Sequence, residues 1–552
     1  MNRYTLRFFI LLAAFGLLAG CSKAVLNTTP YSFDVLTTYK TAQDAELALT
    51  GCYSVLNAQT IQGQGALSGL GPMFAWAMPI MLSGGTDELL TNPKYAQADL
   101  APLGLIGASS GNQAVRYNWF FLFAGINRAN YIIQGVGSVS MDTVRRSQIL
   151  AEAHFLRGLY YMYVGMMYGA APVSTTPTVD LNAKRDSVSK LFNLVISDFQ
   201  VAYTTLPSRA TTNGRANKWS AAGFLAKVYT YLASCKTNNV GQSLNFPLNS
   251  FNWVDAGQMY SNALTVTNAI ISGSGYKLIP NYDYLFRETT LTDQLQESLF
   301  SVLSSGNPAA GNFNCWLPFE TPTGNVNLAG GGYGYFRPPG EMYKKYDTAD
   351  LRFKHNLTFS VANTNPKETI GGVTYYVPTA ATAANNALLN VAKWRDEDPV
   401  SNSKPIALIE TMGALTILRY ADILLLNAEA KYFTGDESGA RAMLQAVRQR
   451  SVVSSANLSR LTTMYLKDFP DELIDERSRE LCFEGWRRID LVRFGLFKSA
   501  IMGLSTTAGY FNSQVPLMQQ NLQMTGGDGR IWYPIPVTDI DLDPALVQNP
   551  GY

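Results

Sequence analysis

Residues 474–495 read IDERSRELCFEGWRRIDLVRFG. Five acids (Asp475, Glu476, Glu480, Glu484, Asp490) and five arginines (Arg477, Arg479, Arg487, Arg488, Arg493) share this stretch, with no lysine or histidine. Leu481, Phe483, Trp486, Ile489, Leu491, Val492 and Phe494 run between them. A solvated charged helix draws freely on lysine. Guanidinium forks set among large apolar side chains point instead to paired, partly buried charge. Asp475 precedes Arg479, Glu484 precedes Arg487 and Arg488, and Asp490 precedes Arg493 by three or four residues. That spacing puts each pair on one face of a helix. One reading is acid/base catalysis by Glu480 and Glu484. A general acid, however, needs a raised pKa, and carboxylates crowded by arginine have depressed ones. The cluster Arg477, Arg479, Glu480, Glu484, Arg487, Arg488 and Asp490 therefore reads as a structural lock tying the late helices to the body.

Helical patterning extends outward from this stretch. TMGALTILRYADILLLNAEAKYFTG (411–435) reads as a helix ended by Gly435, with residues 436–451 as its partner. Further helices are expected over 41–57, with Thr41 or Asp44 as cap, and over 118–136, 142–168, 187–206, 215–235 and 254–272. The 142–168 segment is read as amphipathic, with Ala153, Leu156, Tyr160 and Val164 on one stripe. Small residues facing large aromatic ones let helices approach closely, as in antiparallel pairs of the tetratricopeptide type. No strict 34-residue period is present. The expected fold is mainly α, with helical scaffold over about 36–60, 112–275 and 411–500. Gly, Pro, Asn and aromatic residues dominate about 61–111 and 280–410, which read as irregular excursions with a short strand at GGVTYYVPT. Residues 501–552 form a tail.

Composition excludes several function classes. A formal net charge of +2 over 552 residues gives no footprint for nucleic acid. Two histidines, His154 and His355, argue against histidine-rich metal chemistry, and His154 reads as a satisfied helix residue. Cys21, Cys52, Cys235, Cys315 and Cys482 contain no close pair, which argues against zinc. The last four are open to disulfides, and Cys52, Cys235 and Cys482, on apolar helix faces, equally to burial as thiols. The N-terminus carries Arg3 and Arg7 and then an apolar run from Phe8 to Leu18, the layout of a signal peptide over 1–20. It ends Leu18-Ala19-Gly20-Cys21, which looks like a bacterial lipobox. Cys21 is thus the expected lipidation site, followed by a flexible tether to about residue 35 and one domain over 36–552. Several acyl chains on one cysteine give stable anchoring, at about 0.8 kcal/mol per buried methylene.

Several stretches resemble the SusD/RagB family of surface nutrient-binding lipoproteins from Bacteroidetes. They are AEAHFLRGLYYMYVGMMYGAAPV (151–173), RANKWSAAGFLAKVYTYLA (215–233), ILRYADILLLNAEA (417–430), the 474–495 stretch and WYPIPVTDIDLDPALVQNPGY (532–552). GGGYGYFRPPGEMYKKYDTADLR (330–352) is similar to the family's central aromatic region. The resemblance implies a right-handed superhelical scaffold of tetratricopeptide-like helix pairs with irregular ligand-binding insertions. It also implies a non-enzymatic role as a lid over a SusC-like TonB-dependent transporter, handing it oligosaccharide or, in some members, peptide. The residues after Cys21, SKAVLNTT, lack the acidic cluster often associated with surface export. An anchor in the outer membrane facing the exterior is expected.

Sugars present apolar C–H faces that stack on aromatic rings, with hydroxyls met by nearby polar groups. Trp76, Tyr95, Phe313, Trp316, Tyr333, Tyr335 and Phe336 lie in the irregular regions. Asp87, Asn92, Lys94, Asn314 and Arg337 are placed to supply hydrogen bonds. The glycine runs at 63–65 and 330–334 neither follow a strand nor open a helix, so a phosphate-cradling role is poor. Asp539, Asp541 and Asp543 alternate in the tail and offer oxygens for a structural calcium, without the rest of an EF-hand loop. A secreted glycoside hydrolase needs two carboxylates facing across a cleft, one without a cation partner. No such pair stands out, and no cofactor is expected.

Overall fold

The computed structural model describes residues 39–56, 77–92, 98–210, 212–287, 290–303, 336–358, 367–370, 373–376, 389–394, 414–506 and 511–552. The chain opens with α1 (Ala42–Tyr53), then α2 (Ala77–Ser83) and the short β1 (Leu90–Thr91). Five long helices follow: α3 (Gln113–Gly135), α4 (Thr143–Tyr168), α5 (Val188–Thr205), α6 (Lys218–Thr237) and α7 (Ala256–Gly273). A central region carries α8 (Leu291–Glu297), β2 (Ser298–Val302), β3 (Phe336–Arg337), α9 (Gly340–Lys344) and α10 (Arg352–Asn356). It continues through β4 (Leu357–Thr358), β5 (Lys367–Ile370), β6 (Val373–Tyr376), β7 (Asn390–Val391) and β8 (Leu415–Arg419). The late helices are α11 (Tyr420–Phe433), α12 (Glu437–Gln449), α13 (Ser455–Met464), α14 (Phe469–Leu481), α15 (Arg487–Arg493), α16 (Phe497–Met502), α17 (Val515–Gln523) and α18 (Val537–Leu542).

The helix starts follow from polar side chains that take up orphan backbone N–H groups. Thr41 and Asp44 form a reciprocal capping box on α1. Asn112, Asp142, Ser187, Asn217 and Asp255 cap α3 to α7. Each of these five helices packs on the next, and α7 then packs on α11, which pairs with α12 and α14. The central region is therefore an insertion in a continuous stack of helix pairs, the mainly α, tetratricopeptide-like scaffold expected. Close approach depends on small residues. A Cβ on Gly125 would lie 2.5 Å from the Tyr160 ring, and one on Gly165 would lie 2.8 Å from Leu191 and Phe192. No helix among the described residues is long and apolar enough to cross a membrane.

Four expectations are corrected. Residues 415–419 do not begin a helix. They form β8, antiparallel to β2 with an irregular register; a five-residue apolar run is ambiguous between strand and helix until its partner is known. The 474–495 stretch is two helices, broken at Phe483 (φ 65°) and Gly485 (φ 81°). α4 is not amphipathic in its second half, because every residue from Phe155 to Tyr168 is buried. Neighbouring helices and the tail surround it: Tyr160 donates to the Cys52 carbonyl and the Tyr533 amide donates to the Met167 carbonyl. Finally, the 61–111 region is not all surface excursion. α2 is buried throughout, and β1 pairs with β3. The strand expected in GGVTYYVPT is β6, paired with β5.

Candidate functional site

The charge cluster is a buried lattice joining distant parts of the chain. Glu480 on α14 accepts from Arg352 on α10 (3.0 Å) and from Arg419 at the end of β8 (2.6 Å), and is also ion-paired with Arg450 after α12. Glu476 meets Arg352 (2.7 Å), Arg448 (2.7 Å) and Arg479 (2.9 Å). Glu484, in the break, pairs with Lys393 (2.6 Å) and Arg419 (2.7 Å). Arg477 bridges Asp422 and Asp490, and Arg493 bridges Asp490 and Glu429. Arg488 has no carboxylate partner among the described residues. It donates to the Arg530 carbonyl and lies 4.5 Å from the centroids of Phe497 and Tyr533.

Only one of the three helical-face pairings forms, Asp490 with Arg493. Asp475 pairs with Lys467 instead of Arg479, and the chain break turns Glu484 away from Arg487 and Arg488. The electrostatics match a lock. Burial pushes the Glu480 carboxyl up, but Arg450, Arg419 and Arg352 more than offset it and hold the group well below 4.5. Burial acts likewise on Asp490, and Arg477 and Arg493 bring it down to about 2. Carboxylates held ionised in this way cannot act as general acids near neutral pH. Sequence reasoning missed the lattice's other half: Arg352, Arg419, Arg448, Arg450, Glu297, Lys393, Asp422 and Glu429. For Arg419, Asp422 and Glu429 the signal was charge inside an otherwise apolar segment, whereas Arg352, Arg448 and Arg450 lie in polar sequence that carries none.

The two irregular regions meet at a two-stranded ladder. Leu90 stands opposite Arg337 and Thr91 opposite Phe336. Gly104 sits so close beneath that a Cβ there would lie 2.9 Å from the Thr91 amide and 3.0 Å from the Phe336 ring. Four of the expected ligand residues are buried at or beside this platform. Asp87 is bound by Nε and Nη2 of Arg487 (2.7 Å each) and by Lys345 (2.7 Å); these cations overcome burial and hold its carboxyl far below the ordinary range. Asn92 is 1% exposed, Phe336 1% and Arg337 7%. Trp76, Lys94, Tyr95, Phe313, Asn314, Trp316, Tyr333 and Tyr335 lie outside the described residues, as do Cys21 and Cys315.

Glu88 differs from the lattice acids. Burial pushes its carboxyl up, only partly offset by Arg487 and Lys345. It accepts from the Ser478 hydroxyl (2.8 Å) and the Phe483 amide (3.2 Å), so it fastens the strained turn rather than facing a cleft. His154 is satisfied by Asp198 (2.6 Å), which also takes both forks of Arg157. Cys52, Cys235 and Cys482 are buried free thiols. In the tail Asp539 accepts from the Trp119 indole (3.1 Å) and Asp543 from the Ala545 amide (3.0 Å), which assigns the two carboxylates local bonds.

Residues 310–552 match the model of the SusD family, and residues 108–230 match a model described as starch-binding associating with outer membrane. The chain is 24% identical to the starch-binding protein SusD of Bacteroides thetaiotaomicron, over 85% of this chain and 84% of that one. Its fold is similar to that of a SusD homolog from Bacteroides thetaiotaomicron, with a TM-score of 0.73 at 19% identity, over 94% of this chain and 99% of the other. It is also similar to surface glycan-binding protein A from Bacteroides thetaiotaomicron in complex with laminarihexaose, with a TM-score of 0.66 at 19% identity, over 93% of this chain and 100% of the other.

Proposed function

The chain belongs to the SusD family, and on that premise we propose that it is a non-catalytic lipoprotein that binds oligosaccharide at the cell surface. It delivers the sugar to a SusC-like TonB-dependent transporter in the outer membrane. The observation that carries this reading is the pair of family matches over the helical body and the late region. A relative named as starch-binding and a similar fold that holds laminarihexaose support the glycan class. The lipobox ending at Cys21 supports the anchor. The β1–β3 ladder supports one composite ligand face, because it joins the stems of both irregular regions. The ligand set is Trp76, Tyr95, Phe313, Trp316, Tyr333 and Tyr335, which offer rings for stacking. Glu480 and Asp490, held ionised by arginine, support binding without hydrolysis.

The test is a glycan array on the full-length chain purified in detergent, followed by product analysis. Oligosaccharide capture with no new reducing ends is expected, and a barrel-sized partner should co-purify from native membranes. Reducing-end release that survives rigorous purification refutes the non-catalytic reading. Capture of peptides in place of glycans moves the protein to the peptide-importing alternative.

A further inference from the structure

A cleft of about 600 Å³ is lined by none of the lattice or ladder residues named above. It is formed by residues within 208–210 and 213–217 after α5, residues 274–277 after α7, and α8 with β2. The volume falls in the range of about 300–1,000 Å³ typical of small-ligand sites. Leu299 and Phe300 form its buried wall, while Ser208, Asn213, Thr292 and Gln296 stand exposed around it. Hydroxyl and amide groups at an apolar wall suit a hydroxylated ligand.

Among the described residues the charges lining the cleft are all positive: Arg209, Arg215 and Lys277 line it, and no described carboxylate does. Arg215 is already matched, 3.5 Å from Glu152 and 3.6 Å from Glu46. Arg209 and Lys277 are exposed and have no ion-pair partner among the described residues. Of the acids on α8, Asp293 accepts from Gln296 at the cleft rim (3.3 Å) without itself lining the cleft, and Glu297 belongs to the lattice through Arg419 and Arg450. Burial pushes the Tyr276 hydroxyl up, and the Asn217 amide and the Arg209 charge partly offset it, so the guanidinium field reaches into the cleft. Two uncompensated cations thus face one cavity in a chain whose formal net charge is only +2.

We propose that this cleft is a second carbohydrate-binding site, selective for a sugar unit carrying a carboxylate or sulfate group. Arg209 offers a planar fork to the anion and Lys277 a point charge; the exposed amides and hydroxyls meet the ring hydroxyls. The inference rests on the glycan reading above and adds a ligand class and a place to it.

The test is titration calorimetry on the full-length chain in detergent. The probes are an oligogalacturonate, a sulfated oligosaccharide and neutral laminarihexaose, each applied to the wild type and to R209Q/K277Q. Both substituted side chains are exposed, and an unchanged melting temperature checks the fold. The double substitution is expected to weaken acidic-sugar binding by about tenfold or more while leaving any neutral-sugar binding in place. Raising salt from about 0.05 to about 0.5 M should weaken the acidic sugar selectively. The two acidic arms decide between carboxylate and sulfate. If only the neutral sugar binds, or if the double variant keeps full affinity for the acidic ones, the cleft proposal is overturned and the glycan reading stands. If none of the three sugars nor any glycan on the array binds, both fall.

Discussion

Replacing Glu480 by Gln keeps the shape of the side chain and removes one charge at the centre of the lattice. Glu480 is fully buried and shared by Arg352, Arg419 and Arg450. The Gln amide accepts through one oxygen only, and its NH2 group points donors at guanidinium donors. Breaking a buried ion pair by removing one partner costs about 3–5 kcal/mol. Unfolding entropy near the midpoint is about 2.1 cal/mol/K per residue, so a body of about 500 residues melts with about 1 kcal/mol/K. The expected drop in Tm is therefore about 3–5 °C, read by differential scanning calorimetry. Glu437→Gln is the control. Its ion pair with Arg441 has the carboxylate side chain 55% exposed, and the expected change is below about 1 kcal/mol. Well below the melting range, Glu480→Gln should keep its glycan affinity, because the lattice supports the ligand face without forming it. A Tm shift no larger than that of the control would refute the lock, as would a Glu480→Gln protein that is fully stable but cannot bind glycan.

Acid titration gives a second check. Glu476, Glu480, Asp87 and Asp490 have folded pKa values below their ordinary 3.8–4.5. The stability they contribute is present above that range and is lost as pH falls through the folded values. For Asp490, from 3.8 to about 2, this is about 2 kcal/mol. Tm should hold steady above about pH 5 and fall steeply below about pH 4, with Glu88 opposing weakly because its shift is upward; a flat profile to pH 3 contradicts the assignment. Asn549→Ala should loosen the tail. Asn549 donates to the Tyr168 and Tyr533 carbonyls and accepts from Arg185, whose guanidinium is buried with no carboxylate partner among the described residues. A loss of about 1–3 kcal/mol and faster proteolysis within 532–552 are expected. In a Cys315→Ser background the native protein should leave Cys52, Cys235 and Cys482 unreactive toward an aromatic disulfide reagent, since burial pushes the Cys52 and Cys482 thiols up to about 12. All three should react after unfolding, and fewer reactive thiols would mean a disulfide.

Much of the scaffold was legible in the sequence because its signals are local. Caps such as Thr41, Asp142 and Ser187 act within three residues of themselves, and the small-against-large pattern of Gly125, Gly165 and Tyr160 is written in residue size. The arginine-for-lysine bias of residues 474–495 correctly announced buried, paired charge. The pairing itself was not legible. Glu484 meets Lys393 and Arg419 across 91 and 65 residues, and Asp87 meets Arg487 across 400, so a helical-face rule chose partners that the turn at Phe483 and Gly485 separates. The strand at 415–419 was missed for a related reason: its partner β2 lies more than a hundred residues upstream.

The sequence by itself thus determined the mainly helical class, the family and the structural character of the charged stretch. Each follows from residue types acting at short range or in a recognisable order. Only the tertiary structure decided which side chains are surface and which are support. Asp87, Asn92, Phe336 and Arg337 have the chemistry of a sugar site, and chain folding buries them at or beside the β1–β3 ladder. Arg209 and Lys277 carry no motif. They become a candidate site because chain folding brings two cations without an ion-pair partner among the described residues to one cleft, while Glu152 and Glu297 nearby pair with other arginines. Electrostatic meaning depends on distance in space, which sequence spacing does not encode beyond a turn of helix.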